Sequence, residues 1–162
     1  MKIILVYPPS PLLVFPTVHT GLGLLYTGGA LRNAGHEVEV ADFRDRDEAS
    51  AWEIPEADVL GVTATSSEID WARRISSMAR EKGVRTMIGG AHATFMPKDC
   101  IKNFDYVIQG DGEKAAVEAL LKGVAGIYSS PLHSLAGHFP CWELIGEKGF
   151  SRKLFTGFGY GS

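Results

Sequence analysis

The stretch that decides the fold is "DVLGVTATSSEIDWARRISSMAREKGVRTMIGG", residues 58–90. It begins with an apolar, β-branched run at 58–65, which predicts a buried strand. Residues 66–83 carry apolar side chains every three or four positions, which predicts an amphipathic helix ending at Gly83. A second apolar run at 84–90 follows. A strand, a helix and a strand in this order predict two parallel strands joined by a helical crossover.

The same alternation runs through most of the chain. It predicts strands at residues 2–7, 36–43, 58–65, 84–90 and 105–110, and helices at 21–35, 66–83, 96–104 and 112–123. Weaker patterns predict one short helix within 44–57, an edge strand at 125–130, a helical turn at 142–145, and a cap from Ser66 or Ser67 on helix 66–83. Together they predict an α/β fold of Rossmann-like (flavodoxin-like), doubly wound type, with a five-stranded, mainly parallel sheet and helices on both faces.

Composition limits the partners. The chain has 162 residues, 45% of them hydrophobic, which suits one domain with a sizeable core. Its net charge is -3 and no basic stripe is visible, so we expect no nucleic acid partner. The apolar run at 2–7 stops at Pro8 and is too short for a signal peptide or a membrane span. Cys100 and Cys141 form no Cys-x-x-Cys pair, which favours free thiols in a reducing cytoplasm.

Ligands of open α/β sheets bind beyond the carboxyl ends of the strands. Four loops should meet there, and all are rich in Gly, Pro, Ser or Thr: "PPSPLLVFPTVHTG" (8–21), "ATSSE" (64–68), "GGAHATFMP" (89–97) and "GDGE" (110–113). Such loops offer backbone N–H groups and hydroxyls to a polar or anionic ligand. No P-loop is present, and "GLGLLY" (21–26) holds only the first two glycines of a dinucleotide fingerprint.

Three side chains in these loops are candidates for chemistry. His19 and His92 could both face the crevice, but no His-x-His or His-x-x-x-His pair supports a metal site. For His92 the alternative is a turn-shaping role through bonds to backbone. Glu113 either accepts a hydrogen bond from a ligand hydroxyl or anchors the neighbouring loop, and a helix N-terminus alone would favour its charge.

Taken in order, these loops resemble the N-terminal cobalamin-binding-like domain of radical SAM enzymes. That group includes proteins of the magnesium-protoporphyrin monomethyl ester oxidative cyclase type and cobalamin-dependent methyltransferases. "GGAHAT" (89–94) and "GDGE" (110–113) resemble the family's Gly-Gly-x-His-x-Thr and Gly-x-Gly-Glu signatures, and "FPCWELI" (139–145) resembles the connector to the radical core. The resemblance implies a cobalamin-binding-like domain at 1–128 and a connector or tail at 129–162.

The resemblance also implies a cofactor, cobalamin, whose nucleotide tail lies in the crevice. Carried over, the cofactor-binding residues are Thr63, Thr65, Ser66, Gly89, Gly90, His92, Gly110 and Glu113. Relatives that bind cobalt through histidine carry Asp-x-His-x-x-Gly, and here Thr17 and Leu22 replace the Asp and the Gly. His19 is therefore a candidate metal ligand within a degenerate motif.

The radical core of the family carries a Cys-x-x-x-Cys-x-x-Cys motif, which this sequence lacks. We therefore expect no iron–sulfur cluster in this chain, and a radical SAM core in a longer or partner chain. The leading hypothesis is a cobalamin-binding-like module that offers a cofactor or substrate platform without catalysis of its own. Two alternatives stay open: a degenerate domain that serves assembly, and a small stand-alone enzyme that uses His92 and Glu113 on a nucleotide-like ligand.

Overall fold

The computed structural model of the protein describes residues 1–10, 21–44, 53–130 and 139–145. Its strands are β1 (Lys2–Tyr7), β2 (Glu37–Asp42), β3 (Val59–Thr63), β4 (Arg85–Gly89), β5 (Tyr106–Gly110) and β6 (Gly126–Ser130). Its helices are α1 (Leu22–Asn33), α2 (Ile69–Glu81), α3 (Ala91–Phe95), α4 (Pro97–Cys100) and α5 (Gly112–Lys122), and a 3-10 turn spans Trp142–Leu144.

The strands form one sheet in the order β2-β1-β3-β4-β5-β6, and every neighbouring pair is parallel. The strand order reverses between β1 and β3, which is where doubly wound folds open a crevice for ligands. The predicted Rossmann-like fold is thereby confirmed. The sheet has a sixth strand, β6, at the place where the sequence predicted an edge strand.

Each inner strand is buried on both faces, because helices cover both sides of the sheet. On one face, called here the α1/α5 face, Leu5 and Met87 pack against the apolar sides of α1 and α5. On the other, the α2/α4 face, their neighbours Ile4 and Ile88 pack against α2, α3 and α4. The alternation of side chains along a strand produces this division.

The loop after β4 differs from the prediction of one short helix at 96–104. It forms two short helices, α3 and α4, which meet at Met96. Met96 has φ −126° and ψ 48°, outside the helical region. The cause is Pro97, whose ring disfavours helical geometry in the preceding residue and begins α4 instead.

The predicted cap of α2 is also wrong. The helix begins at Ile69, and no side chain caps it. The Ser66 hydroxyl instead shares a hydrogen bond with the ring of His92, and Ser67 shares one with the hydroxyl of Thr65. The predicted helix within 44–57 falls largely on residues 45–52, outside the described residues.

Candidate functional site

A cavity of about 170 Å³ lies between the sheet and helices α1 and α5. It opens near the carboxyl ends of β1, β3, β4 and β5, where the strand order predicts a crevice. Its walls combine apolar side chains with glycines and a few polar groups. The apolar side chains include Leu5, Leu24, Met87 and Ile108.

Two glycines on neighbouring strands create this space. Leu5, Gly61 and Met87 lie side by side in register across β1, β3 and β4, and Thr63 pairs with Gly89 one step outward. A Cβ atom on Gly61 would lie 2.8 Å from Leu5 Cδ2, so Leu5 covers that position. A Cβ atom on Gly89 would meet only Ile108 Cβ, at 3.9 Å. Among the described residues, nothing else covers the sheet surface above Gly89, and the cavity occupies this bare surface.

The helical wall depends on a close approach of α1 and α5. A Cβ atom on Gly112, the first residue of α5, would overlap the hydroxyl of Thr27 on α1. That hydroxyl donates a hydrogen bond to the carbonyl of Gly23 at 2.9 Å. Thr27, Gly23 and Gly112 all line the cavity, so any larger residue at 112 would force the two helices apart.

The rim of the cavity is held by Thr94. Its hydroxyl donates to the Gly90 carbonyl at 2.9 Å and accepts from the Gly110 N–H at 3.1 Å. Gly90 and Gly110 have φ values of 92° and 79°, in the region that favours glycine. Thr94 thus joins the loop "GGAHAT" (89–94) to the loop "GDGE" (110–113).

Glu113 also lines the cavity, in the first turn of α5, and is only 9% exposed. Among the residues that the structure describes, none forms a hydrogen bond or an ion pair with its carboxylate. The loop-anchoring interpretation of Glu113 therefore finds no partner in the described part of the chain.

His92 belongs to the α2/α4 face. Its Nδ1 shares a hydrogen bond with the Ser66 hydroxyl at 3.0 Å, and its backbone N–H donates to the Ala64 carbonyl at 3.1 Å. The buried Nε2 has no hydrogen-bond partner and lies 3.7 Å from Asp99 Oδ2. His92 therefore connects the loop after β3 with α3 and α4.

Asp99 is the anionic centre of this cluster. A hydrogen bond from Lys102 lowers the pKa of its carboxyl below the usual range. Desolvation opposes this shift, and the positive charge of Arg73 supports it. Arg73 also bonds to Asp70 at 2.9 Å. Arg73 of α2 and Asp99 of α4 form the ion pair that joins the two helices. This junction lies on the side of the sheet away from the cavity.

The family model of the B12 binding domain matches residues 11–120 of the chain. The protein belongs to the B12-binding domain family. The motifs "GGAHAT" and "GDGE" predicted this family from the sequence, and the match confirms it.

Two relatives of this B12-binding domain illustrate its context. Bacteriochlorophyllide d C-8(2)-methyltransferase of Chlorobaculum tepidum is 26% identical over 98 residues, which are 60% of this chain and 21% of the relative. The radical S-adenosylmethionine methyltransferase TsrM of Kitasatospora setae, solved with tryptophan and a SAM analogue, has a similar fold with a TM-score of 0.59. Its sequence is 23% identical, over 76% of this chain and 26% of TsrM. The matched part of this chain thus spans about a fifth of the length of the Chlorobaculum tepidum methyltransferase.

The B12-binding domain gathers most of the predicted site residues at one place. Thr63, Gly89, Gly90, Gly110 and Glu113 all line the cavity. Thr65, Ser66 and His92 do not. Thr65 donates from both its N–H and its hydroxyl to Glu68, each at 2.9 Å. His19 lies outside the described residues, and the roles of all these residues toward a ligand stay predictions.

Sequence reasoning missed the α1 wall and the apolar lining of the cavity. The α1 wall consists of Gly23, Leu24 and Thr27, from the helix after the long first loop. Gly23 and Leu24 belong to "GLGLLY", which indicated only an incomplete dinucleotide fingerprint. One signal was present at Gly112, because a glycine at the start of a helix lets a neighbouring element come close.

The described residues of the B12-binding domain contain no group of three or more His, Cys, Asp or Glu side chains arranged to hold a metal ion. None of their helices has the length and apolar character needed to cross a membrane. Both cysteines are free, and Cys100 is buried.

Proposed function

We propose that this domain binds cobalamin and that the nucleotide tail enters the cavity between the sheet and helices α1 and α5. The observation that carries the proposal is the bare sheet surface above Gly89, at the carboxyl edge of a B12-binding domain. A planar aromatic base needs a narrow apolar slot, and Leu24, Met87 and Ile108 supply its walls. The polar rim suits the sugar and amide groups of such a ligand.

The domain acts as a platform in this proposal. The described residues that line the cavity include no histidine or cysteine, so they offer no activated nucleophile. When bound, cobalamin supplies a cobalt centre that carries alkyl groups. The residues of this chain hold and orient the cofactor, and they exclude water from its tail. This favours a binding module over a stand-alone enzyme that uses His92 and Glu113.

The catalytic partner lies elsewhere in this proposal. Both relatives are named methyltransferases, and one of them is a radical SAM enzyme. The chain spans only 21% and 26% of their lengths. We therefore propose that the domain at 1–128 presents cobalamin to a radical SAM core in a longer or partner chain. Methyl transfer is favoured over oxidative cyclisation, and the iron–sulfur cluster belongs to that core. We place this protein in the cytoplasm.

Co-migration with cobalamin tests the proposal. The purified protein is mixed with hydroxocobalamin at high micromolar concentration, and the visible spectrum is recorded across a gel-filtration peak. We expect cobalamin to elute with the protein. A peak free of cobalamin would exclude the cofactor role and leave the assembly domain as the explanation.

A cavity variant locates the binding site. Gly89→Val adds a side chain where only Ile108 Cβ lies within 4 Å, so the fold accommodates it while the cavity narrows. Gly126→Val is the matched control, because it also stands in a strand with one ordinary contact, to Tyr128, and lies away from the cavity. We expect Gly89→Val to weaken cobalamin binding about tenfold or more. Equal affinity in both variants would place the cofactor elsewhere.

The lower ligand of cobalt is tested separately at His19. Because Thr17 and Leu22 depart from the Asp-x-His-x-x-Gly pattern, we expect His19→Ala to leave the visible spectrum of bound cobalamin unchanged. A shift of the spectrum on this substitution would assign His19 as a metal ligand.

A further inference from the structure

Among the described residues, Ser76 and Thr86 are buried polar side chains with a protein partner, and Glu113 is one without. Ser76 donates to the Asn103 carbonyl at 2.7 Å, and Thr86 donates to Asp105 at 2.9 Å. His92 bonds to Ser66, as described above. Glu113 is as buried as His92, each 9% exposed, but its carboxylate has no partner among the described residues. It faces the cavity instead.

Glu113 is largely shielded from water and has no protein partner, so its carboxylate can gain a hydrogen bond from a ligand that enters the cavity. An ionised carboxylate accepts hydrogen bonds and cannot donate them. The group that completes this site must therefore be a donor.

Among the described residues that line the cavity, none is a lysine or an arginine. The hydroxyl of Thr27 has one proton, which it donates to the Gly23 carbonyl at 2.9 Å. Asp111, a second carboxylate, also lines the cavity. Two carboxylates disfavour an anion at this point, so the complementary ligand group is a hydrogen-bond donor and not a phosphate.

We propose that Glu113 accepts a hydrogen bond from an N–H or O–H group of the tail nucleotide, and so distinguishes nucleotide-bearing cobamides from cobinamide. This inference rests on the proposed function. Two parts of a tail nucleotide offer such a donor. One is an exocyclic amine, which adenine carries and dimethylbenzimidazole lacks. The other is a ribose hydroxyl, which both tails carry.

Three ligands separate these sources: an adenine-tailed cobamide, cobalamin with its dimethylbenzimidazole tail, and cobinamide, which has no nucleotide. Each is titrated against the wild-type protein and Glu113→Gln, with dissociation constants taken from the visible spectrum. Glu118→Gln is the matched control, because Glu118 lies on the outer side of the same helix, paired with Lys122.

We expect Glu113→Gln to weaken nucleotide-bearing ligands about tenfold and to leave cobinamide unchanged. Loss confined to the adenine cobamide assigns the base amine as the donor. Equal loss for both nucleotide-bearing ligands assigns the ribose hydroxyl. Suppose that the wild-type protein binds cobalamin but Glu113→Gln affects all three ligands equally, or affects none of them. This result would overturn the role of Glu113 and leave the proposed function standing. A wild-type protein that binds no cobamide would overturn the proposed function itself.

The stability of the free protein provides an independent readout. Replacing an unpartnered buried carboxylate by a neutral amide should leave the melting temperature of the free protein unchanged or raise it. A carboxylate that anchors a loop would instead lower the melting temperature when replaced. A clear loss of stability in Glu113→Gln would therefore contradict the proposed role.

Discussion

Glycine at position 90 holds the loop after β4 in a conformation that other residues rarely adopt. Its φ is 92° and its ψ is −172°, a region open almost only to glycine. A Cβ atom there would lie 2.8 Å from Thr63 Oγ1 and 2.9 Å from the Ala64 carbonyl oxygen. Any other residue at position 90 would therefore meet both backbone strain and a lack of space for its side chain.

Substitution separates these two effects. Gly83 also has a positive φ, 75°, but a Cβ atom there would meet nothing within 4 Å. We expect Gly83→Ala to cost about 1 kcal/mol of unfolding free energy from backbone strain alone. Gly90→Ala should cost about 2–4 kcal/mol, since overlap adds to the strain. Urea denaturation measures both, and equal losses would show that space at Gly90 is not limiting.

Asp105 links stability to pH. Burial opposes its ionisation, but hydrogen bonds from the backbone and hydroxyl of Thr86 and from Arg80 prevail and lower the pKa of its carboxyl. Because the pKa in the folded protein lies below the ordinary value of 3.8, the ionised group stabilises the fold above that pH. The contribution is lost as the pH falls through the folded pKa.

The variant Asp105→Asn tests this linkage. At pH 7 the wild-type protein should have the larger unfolding free energy. The difference should shrink as the pH falls below 3.8, the ordinary value for this carboxyl. Unfolding free energies of both proteins, measured by denaturant titration from pH 7 to pH 3, give the difference directly. A difference that stays constant over this range would mean that Asp105 acts through packing and not through its charge.

At the scale of elements, the 3-10 turn at Trp142–Leu144 belongs to the α1/α5 face. Leu144 is 9% exposed and covers Gly28 of α1, where a Cβ atom would overlap it. The Cys141 N–H donates to the Leu25 carbonyl at 3.2 Å, and Arg32 pairs with Glu143 at 3.2 Å. A segment predicted as part of a connector thus packs on the domain.

Truncation of Leu144 measures this packing. Leu144→Ala should lower the unfolding free energy by about 2–3 kcal/mol, since it removes buried methyl groups and leaves a gap over Gly28. Phe139→Ala is the control in the same segment, because Phe139 is 82% exposed, and should change stability by less than about 0.5 kcal/mol. Comparable losses in both variants would mean that the segment does not dock through Leu144.

The sequence predicted most elements, because strands and helices leave a periodic signal. It did not predict helix α3 (Ala91–Phe95), because five residues are too few to leave a periodic signal. It also misplaced the cap of α2, because a serine hydroxyl near a helix start has competing partners. In this protein His92, which is 26 residues away, is the partner of Ser66.

At the scale of the whole molecule, the strand order and the register build the site. The sequence predicted that the loops after β3, β4 and β5 would meet, and Thr63, Gly89 and Glu113 do line one cavity. It could not predict the contact between Thr27 and Gly112, which are far apart in the chain. Nor could it predict the face on which His92 lies, because this depends on how α3 turns away from the sheet.

The most direct test of the account compares cobalamin with cobinamide by equilibrium dialysis against the wild-type protein. The two ligands share the corrin ring and differ in the nucleotide tail that we place in the cavity. We expect cobalamin to bind at least about tenfold more tightly, because only its tail fills the space above Gly89. Equal affinity for both ligands, or no retention of cobalamin, would contradict the account.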